Sequence, residues 1–504
     1  MQLVMNNTKN TLFAAAIAIA MFGLGCKKEF LDTFPTNQVS SADALSSVQN
    51  ALASLNGIHR IMYVQYDAQG EAGEGSNGFF RDLMGEDIVY PLANGSTGYL
   101  GFMQWQTHRN VNSGNLRYVY RYYYRIISNA NVLINGIDAV PAATTADEAL
   151  KKAIKGQALA YRGWAHFQLV QLWGKRYDAA TKPNNQLGVP LMLINTLEGQ
   201  KRATVEEVYT QVNKDLNDAL PLLAGYVRGG TAAKSNFNVN VVQGIKARVA
   251  LAQQDWPAAV ASAQAARAGQ TLMTNTEYLT GFNSVANQEW IWGSRQIDDH
   301  NTFFFSFFAY MSANFNSTVI RTQPRAINAN LWNAIPRTDI RKQCWDTLGA
   351  NVPIPPGGAR VRFQNRKFLA QSSSSSVGDV PYMRTGEMFL IEAEAQARQG
   401  KNTEAAQALF TVARNRNPNY VLSTNTGQAL IDEIIFNRRI ELWGEGFRFT
   451  DLKRWNAPMD RRGIPNHLAA LILIDFVPAG DKTWEWVFPQ DELNTNKLIE
   501  QNPL

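Results

Sequence analysis

Two stretches of this chain share one plan. ARVALAQQDWPAAVASAQAAR (residues 247–267) and AEAQARQGKNTEAAQALFTVAR (393–414) each run an alanine-rich helix into a tight turn containing Gln, then a second alanine-rich helix that closes on Ala-Arg. Alanine is the best helix former, and its small side chain lets antiparallel helices cross closely, as stacked tetratricopeptide-type pairs require. Long insertions interrupt the repeat, so periodicity alone specifies a degenerate helical repeat and a mostly α chain.

The helical period recurs elsewhere. Leu45, Val48, Leu52 and Leu55 fall on one face of residues 40–60, with serines suited to capping at the entry. Leu116, Val119, Tyr120, Tyr123, Ile127, Ala130 and Ile134 form one stripe, and Arg117, Arg121 and Arg125 another. Interleaved Arg and Tyr can stack on nucleic acid, but one core face and one solvated face account for the same spacing. Residues 147–173 are apolar nearly all round in their second half, which predicts deep burial and a core role for His166. Thr204-x-x-Glu207 is a capping box opening a helix over 204–223.

Two regions have no sustained period. Residues 66–112 are punctuated by Gly70, Gly73, Gly75, Gly78, Gly85, Gly95, Gly98 and Gly101, and residues 276–382 are rich in Asn, Ser, Pro and aromatics. Within the second, 289–292 (EWIW) alternates like a strand that turns Trp290 and Trp292 inward. Most of the run 303–308 (FFFSFF) is expected to be buried, whereas 351–358 and the serines of 372–376 read as loops. Both excursions must pack on the helical scaffold or on each other.

Apolar residues 11–25 follow a weakly charged start and stop at Cys26-Lys27-Lys28. At about 1.5 Å rise per residue they fall short of a ~30 Å hydrocarbon core, so they read as a secretory signal peptide rather than a span. Gly25 directly before Cys26 suits lipoprotein processing, which makes Cys26 the expected lipid attachment and residues 26–39 an anchor linker. Several acyl chains on one residue hold a protein at a membrane without a spanning helix.

Composition removes several classes of function. Forty-eight Lys and Arg against 42 Asp and Glu leave a formal charge of +6 over 504 residues, too little and too dispersed for a dedicated nucleic-acid binder. Two Cys, 26 and 344, build neither a disulfide framework nor a cysteine-rich zinc site, and the five His form no HExxH pair. Cys344 is expected to be a buried free thiol. Residues 73–78 fit GxGxxG without a strand–helix context, and no GxSxG or P-loop occurs. Asp82, Glu86 and Asp87, and Asp298 with Asp299, are close in sequence, and two carboxyls about 5–9 Å apart across a sugar would suit a glycosidase, but no sharper catalytic pattern accompanies them. No enzyme activity and no cofactor is expected.

Cys26 followed by Phe30-Leu31-Asp32 and Pro35, the helix 147–173, RATVEEVY (202–209), MRTGEMFLIEAEAQARQG (383–400), NRRIELWGEGFRFTDLKRW (437–455) and FPQDELNTNKLIEQNP (488–503) occur in this order. Together they resemble the SusD/RagB family of Bacteroidetes outer-membrane nutrient-binding lipoproteins. Asn437 stands where that family commonly has an acidic residue. The resemblance implies a mostly α fold: four tetratricopeptide-like pairs as scaffold and a loop-rich half carrying the ligand site. Scaffold is then expected mainly at 40–65, 113–275 and 383–455 of a domain spanning 40–504, with insertions at 66–112 and 276–382. It implies a SusC-like TonB-dependent transporter as partner, an outer-membrane position facing the exterior, and an oligosaccharide as ligand. Alternatives are a peptide ligand for the same fold, or a protein-interaction scaffold without a transport role. The alternating charges of 437–455 read as a structural network and are kept out of the site.

Sugars present CH-rich faces beside rings of hydroxyls, so capture needs flat aromatic side chains next to amides and carboxylates. The first excursion offers Tyr90, Tyr99, Phe102 and Trp105 with Asp87, Asn94 and Gln104; the second offers Phe305, Tyr310, Asn314 and Trp332 with Arg295 and Asp298. From these, Tyr99 and Trp105 are expected as a stacking platform, Tyr310 as a second wall, and Asp87 and Asn94 as polar contacts.

Overall fold

A computed structural model describes residues 44–66, 68, 70–92, 99–297 and 306–504. Cys26, the signal segment and Asn94 lie outside these residues, as do Phe305, Asp298 and Asp299.

Eleven helices of eight or more residues, among those described, carry the architecture. They are α1 (Val48–Ile61), α2 (Gly73–Leu83), α3 (Gly114–Gly136), α4 (Thr145–Trp173), α5 (Val205–Leu223), α6 (Val239–Ala252), α7 (Trp256–Ala266), α8 (Thr385–Arg398), α9 (Asn402–Arg416), α10 (Gly427–Glu441) and α11 (Arg448–Trp455). Side chains cap several of them, at α5 through the box expected from the sequence, while α1 begins at Val48, later than the entry to 40–60 suggested. Ser47 caps α1, Ser113 caps α3, and the Thr204–Glu207 box caps α5. A second box, Thr144 with Asp147, opens α4. Each satisfies amide groups that a helix start leaves open.

α1 packs with α3, α4 with α5, α6 with α7, and α8 with α9. Consecutive pairs touch through α3–α4, α5–α6 and α7–α8, with α10 against α8 and α9, so four pairs stack into one scaffold. The two alanine-rich segments are the α6–α7 and α8–α9 pairs, turning at Gln254 and Gly400, which both take left-handed backbone. Arg117, Arg121 and Arg125 are exposed while the Leu116 stripe is buried, as the solvated-face reading requires. His166 is buried; its Nδ1 donates to the Arg162 carbonyl and its Nε2 accepts from the Met192 amide.

The two excursions are joined rather than separate. Strand β1 (Ile88–Val89) from the first pairs with β5 (Ala326–Ile327) from the second, and β7 (Gln364–Asn365) and β6 (Trp345–Asp346) complete a small antiparallel sheet in the order β1-β5-β7-β6. The second excursion is closed at its neck by β4 (Trp290–Ser294) paired antiparallel with β8 (Val380–Arg384), and Trp290 and Trp292 are buried there. Two further two-stranded pairs, β2 (Leu187–Pro190) with β3 (Arg202–Thr204) and β9 (Met459–Asp460) with β10 (Phe476–Val477), lie outside the excursions.

The first excursion is less irregular than its glycines suggest, because α2 lies inside it and is buried along its whole length. Gly73 starts that helix at φ +67°, where a side chain would collide with the Met62 carbonyl. Gly78 meets Gly446, also left-handed, so closely that a Cβ on Gly446 would lie 2.6 Å from the Gly78 Cα. Gly78 thus lets α2 cross closely under the turn that precedes α11. The crossing brings Asp82 under the start of α11, where it accepts from the Gly446 and Arg448 amides.

The charged string 437–455 is the structural network expected. Glu441 faces Arg416, Arg384 and Arg341, while Glu445 takes Lys367 and Arg384. Arg438 and Arg454 share Asp451, and Arg454 forks onto Glu394. Asn437 accepts from Arg341 at 2.9 Å, so the amide does a carboxylate's work at that position without its charge. Cys344 is a buried free thiol, and burial pushes it up to about 12.

Candidate functional site

The sheet that ties the excursions together also sets their aromatics side by side. Tyr90 follows β1, and Tyr99 precedes the short helix Leu100–Met103 with a left-handed backbone at φ +65°. Tyr310 lies in the short helix Phe307–Met311, which Ser306 caps. Residues more than two hundred positions apart thus meet: the Tyr99 and Tyr310 rings are 5.0 Å apart, edge to face, and their hydroxyls are hydrogen-bonded. Phe79 of α2 stacks on Tyr310 at 6.3 Å, and Phe80 packs on Tyr99 at 4.8 Å. Beneath them the Arg325 guanidinium lies 4.2 Å from the Tyr90 ring centre and 5.1 Å from that of Phe79.

Tyr310 is as buried as Trp105, at 2% exposed, so the expectation of a second wall there is corrected to a backing for Tyr99; Tyr90, Phe79 and Arg325 are buried too, and Tyr99 is the member of the cluster that reaches solvent. Burial raises the Tyr310 phenol to about 12 against the opposing pull of its bond with Tyr99 and of nearby Arg325. Burial pushes Tyr99 well up too, so both hydroxyls stay protonated as donors and acceptors at neutral pH. Burial lowers Arg325, with the surrounding tyrosines opposing.

Two expected site residues have other duties. Trp105 is 2% exposed, its indole N–H donates to the Met84 carbonyl, and its ring is enclosed by His108, Phe449 and Trp484. A stacking platform needs a free face, so the expectation for Trp105 is corrected to a core role. Asp87 is buried in ion pairs with Arg439 and Arg448, while its carbonyl accepts from Trp443. Those two cations overcome the effect of burial and hold its carboxyl below the usual range. Its lone pairs are committed to the protein, and the expectation of a ligand contact there is corrected to a structural one.

The other aromatics and amides singled out in the excursions that fall among the described residues are also tied down. Phe102 stacks on Phe80 at 4.3 Å, Gln104 donates to the Leu471 carbonyl, Asn314 brackets Ala370 with both of its amide atoms, and Lys342 sits 3.8 Å over the Trp332 ring. Phe79 and Arg325 were not singled out from the sequence. The Phe79-Phe80 pair hinted at a buried helix, whereas nothing local to Arg325 marks it.

Elsewhere, a groove of about 630 Å³ runs between α3 and residues 190–200 and 489–496, lined by Tyr66, Tyr120 and Tyr124. Its arginines are engaged, Arg117 and Arg121 with Asp491 and Arg125 over the Tyr66 ring. Among the described residues, no three or more His, Cys, Asp or Glu gather as a metal site. No helix among them is long and apolar enough to cross a membrane.

Residues 29–251 match a SusD-like family model described as starch-binding associating with outer membrane, and residues 345–504 match the model of the SusD family. Among solved structures, a SusD-like carbohydrate binding protein from Bacteroides vulgatus superposes with a TM-score of 0.78 at 26% identity, covering 90% of this chain and 97% of its own. A SusD superfamily protein from Bacteroides thetaiotaomicron gives 0.76 at 22% identity, covering 91% and 100%. A laminarin-binding SusD-like protein gives 0.69 at 20%, covering 91% and 99%. No curated protein sequence matches the chain. Two family models placed in order along the chain, and superposition over nine-tenths of it on the same tetratricopeptide-like helical fold, agree that the chain belongs to the SusD/RagB family.

Proposed function

We propose that this protein is a cell-surface binding lipoprotein, held in the outer membrane by acyl chains on Cys26. In this reading it captures oligosaccharide or polysaccharide fragments and passes them to a SusC-like TonB-dependent transporter. The observation that carries the proposal is the meeting of Tyr99 and Tyr310 where the two excursions join. A partly exposed phenol, Tyr99, backed by the buried phenol of Tyr310 offers a CH-packing face and hydroxyl hydrogen bonds together, the pairing a sugar ring needs. The family description of starch binding at an outer membrane and the laminarin-binding relative support the same direction. Capture for hand-over calls for release, so micromolar or weaker affinity is expected, about −8 kcal/mol or less favourable.

Calorimetry on the purified protein against plant, fungal, algal and host glycans, alongside a peptide digest, tests this. Saturable glycan binding that falls by about 2 kcal/mol or more in the Tyr99→Ala, Tyr310→Ala double variant is the expected result. Binding to peptides alone would replace the sugar by a peptide while keeping capture. Retention of affinity within about 1 kcal/mol would remove the two tyrosines from the site. Loss of fatty-acid labelling and of membrane retention in Cys26→Ala checks the anchor.

A further inference from the structure

Most buried arginines among the described residues face acceptors, although Nη1 of Arg438 and both Nε and Nη1 of the half-buried Arg448 lack a hydrogen-bond partner. Arg81 faces Glu74, Arg162 faces Asp215, Arg341 faces Asp339, and Arg384 and Arg416 share Glu289 and Glu441. Arg461, without a carboxylate, is filled by the carbonyls of Leu83, Gly85 and Met103. Arg325 is 3% exposed and donates through Nη1 to the Gln323 carbonyl at 2.7 Å, but its Nε and Nη2 have no partner among the described residues. Gln323, two residues earlier, is fully buried with both side-chain amide atoms likewise unpartnered. A buried cation with two open donors beside an unfilled amide is costly in a native interior and calls for an explanation.

The geometry of what is left open is informative. Nε and Nη2 form one edge of the guanidinium, the edge that takes a carboxylate or sulfate through two parallel N–H···O bonds. Tyr90 and Phe79 pack on the guanidinium, and Tyr99 and Tyr310 stand near enough to influence its charge. No carboxylate of the described residues pairs with it. Tyr99, the partly exposed member of the cluster, has a left-handed backbone, a strained setting for a bulky residue of the kind retained at ligand sites.

Resting on the glycan-capture reading above, we propose that Arg325 is the acid-recognising element of the site. Its open edge receives the carboxylate of a uronic acid, or an ester sulfate, on a sugar whose ring packs against Tyr99, which Tyr310 backs, and the Gln323 amide takes a neighbouring hydroxyl. The preferred ligands are therefore anionic glycans rather than neutral ones.

Calorimetry on the purified full-length protein uses oligogalacturonate, its methyl ester, alginate oligosaccharides, sulfated galactan oligosaccharides, and neutral laminarin and malto-oligosaccharides. One of the anionic series is expected to bind, more weakly as salt rises, and which one answers separates carboxylate from sulfate. Losing a charge-assisted bidentate contact corresponds to roughly tenfold or more, so methyl esterification or desulfation of the bound ligand should cost at least that. Arg325→Lys, which keeps the charge without the fork, should cost a similar factor. The ligand-side comparison uses the unaltered protein and decides the matter even if the variant fails to fold. Neutral glycans binding as well as anionic ones, with dependence on Tyr99 and Tyr310, would overturn the acid subsite and leave capture standing. Silence towards every glycan would overturn both.

Discussion

Replacing Glu441 by Gln isolates what the charged string contributes. Glu441 is fully buried and faces Arg416 at 3.0 Å, Arg384 at 3.1 Å and Arg341 at 3.3 Å. The wider cluster balances Arg341, Arg384, Arg416 and Lys367 against Glu289, Asp339, Glu441 and Glu445. Glutamine keeps the shape and removes one charge, so the interior is left with a surplus cation and weaker acceptors. Breaking a buried pair from one side typically costs about 3–5 kcal/mol. With an unfolding entropy of about 2.1 cal/mol/K per residue over roughly 460 packed residues, near 1 kcal/mol/K in all, that is a fall in Tm of about 3–5 °C. Burial alone would raise the Glu441 carboxyl, but the three arginines overcome it and hold it well below the usual range. A depressed folded-state value gives stability that is complete above the unfolded value near 4.3 and is lost as pH falls below it. The deficit of Glu441→Gln, read by calorimetry and urea melts, is therefore constant from pH 8 to pH 5 and narrows below about 4.5, by at most ~1.4 kcal/mol per unit. A deficit under about 1 kcal/mol at pH 7, or one that shrinks between pH 7 and 5, would refute the reasoning.

Three further outcomes follow from single contacts. Burial raises Asp82 to about 7, an elevated folded value, so the native state loses stability as pH climbs from about 4 towards 7 and levels beyond; relative to Asp82→Asn the wild type should melt lower at pH 8 than at pH 5. Lys453 donates to the carbonyls of Gln171, Leu172, Gly174 and Trp484, closing the end of α4 onto the C-terminal segment. Lys453→Met leaves these acceptors open and should cost about 2–4 kcal/mol, with faster amide exchange over the last turn of α4. Trp105→Ala should destabilise by about 3–5 kcal/mol while leaving glycan affinity unchanged in the folded fraction; reduced affinity at full folding would return Trp105 to the site.

The scaffold was legible because its signals are local. Periodicity at three and four residues, the Thr204–Glu207 box and the small residues of 247–267 and 393–414 act within a few turns of their own position. They predicted α5, the α6–α7 and α8–α9 pairs and the inward turn of Trp290 and Trp292, and the structure follows them. The same locality misled at residues 66–112, where glycine looked like loop punctuation and instead permits α2 to cross the chain at Gly446.

The proposed site was only half legible, for the opposite reason. Residue type and region picked out Tyr99 and Tyr310 from sequence, but their contact exists because β1 pairs with β5 across more than two hundred residues. Whether an aromatic shows a face depends on what covers it: Trp105 is enclosed by Phe449 and Trp484, more than three hundred residues away, and Asp87 is claimed by Arg439 and Arg448 at similar separation. Arg325 carries no local mark at all, since an arginine's partners, or the absence of them, are set by chain packing. From sequence alone came the helical pairs, because those follow from short-range sterics and hydrogen bonding, and the family, because the order of its motifs along the chain resembles it. Tertiary structure alone decided which side chains of the excursions are buried, paired or left open, because burial and pairing are properties of chain segments brought together from far apart.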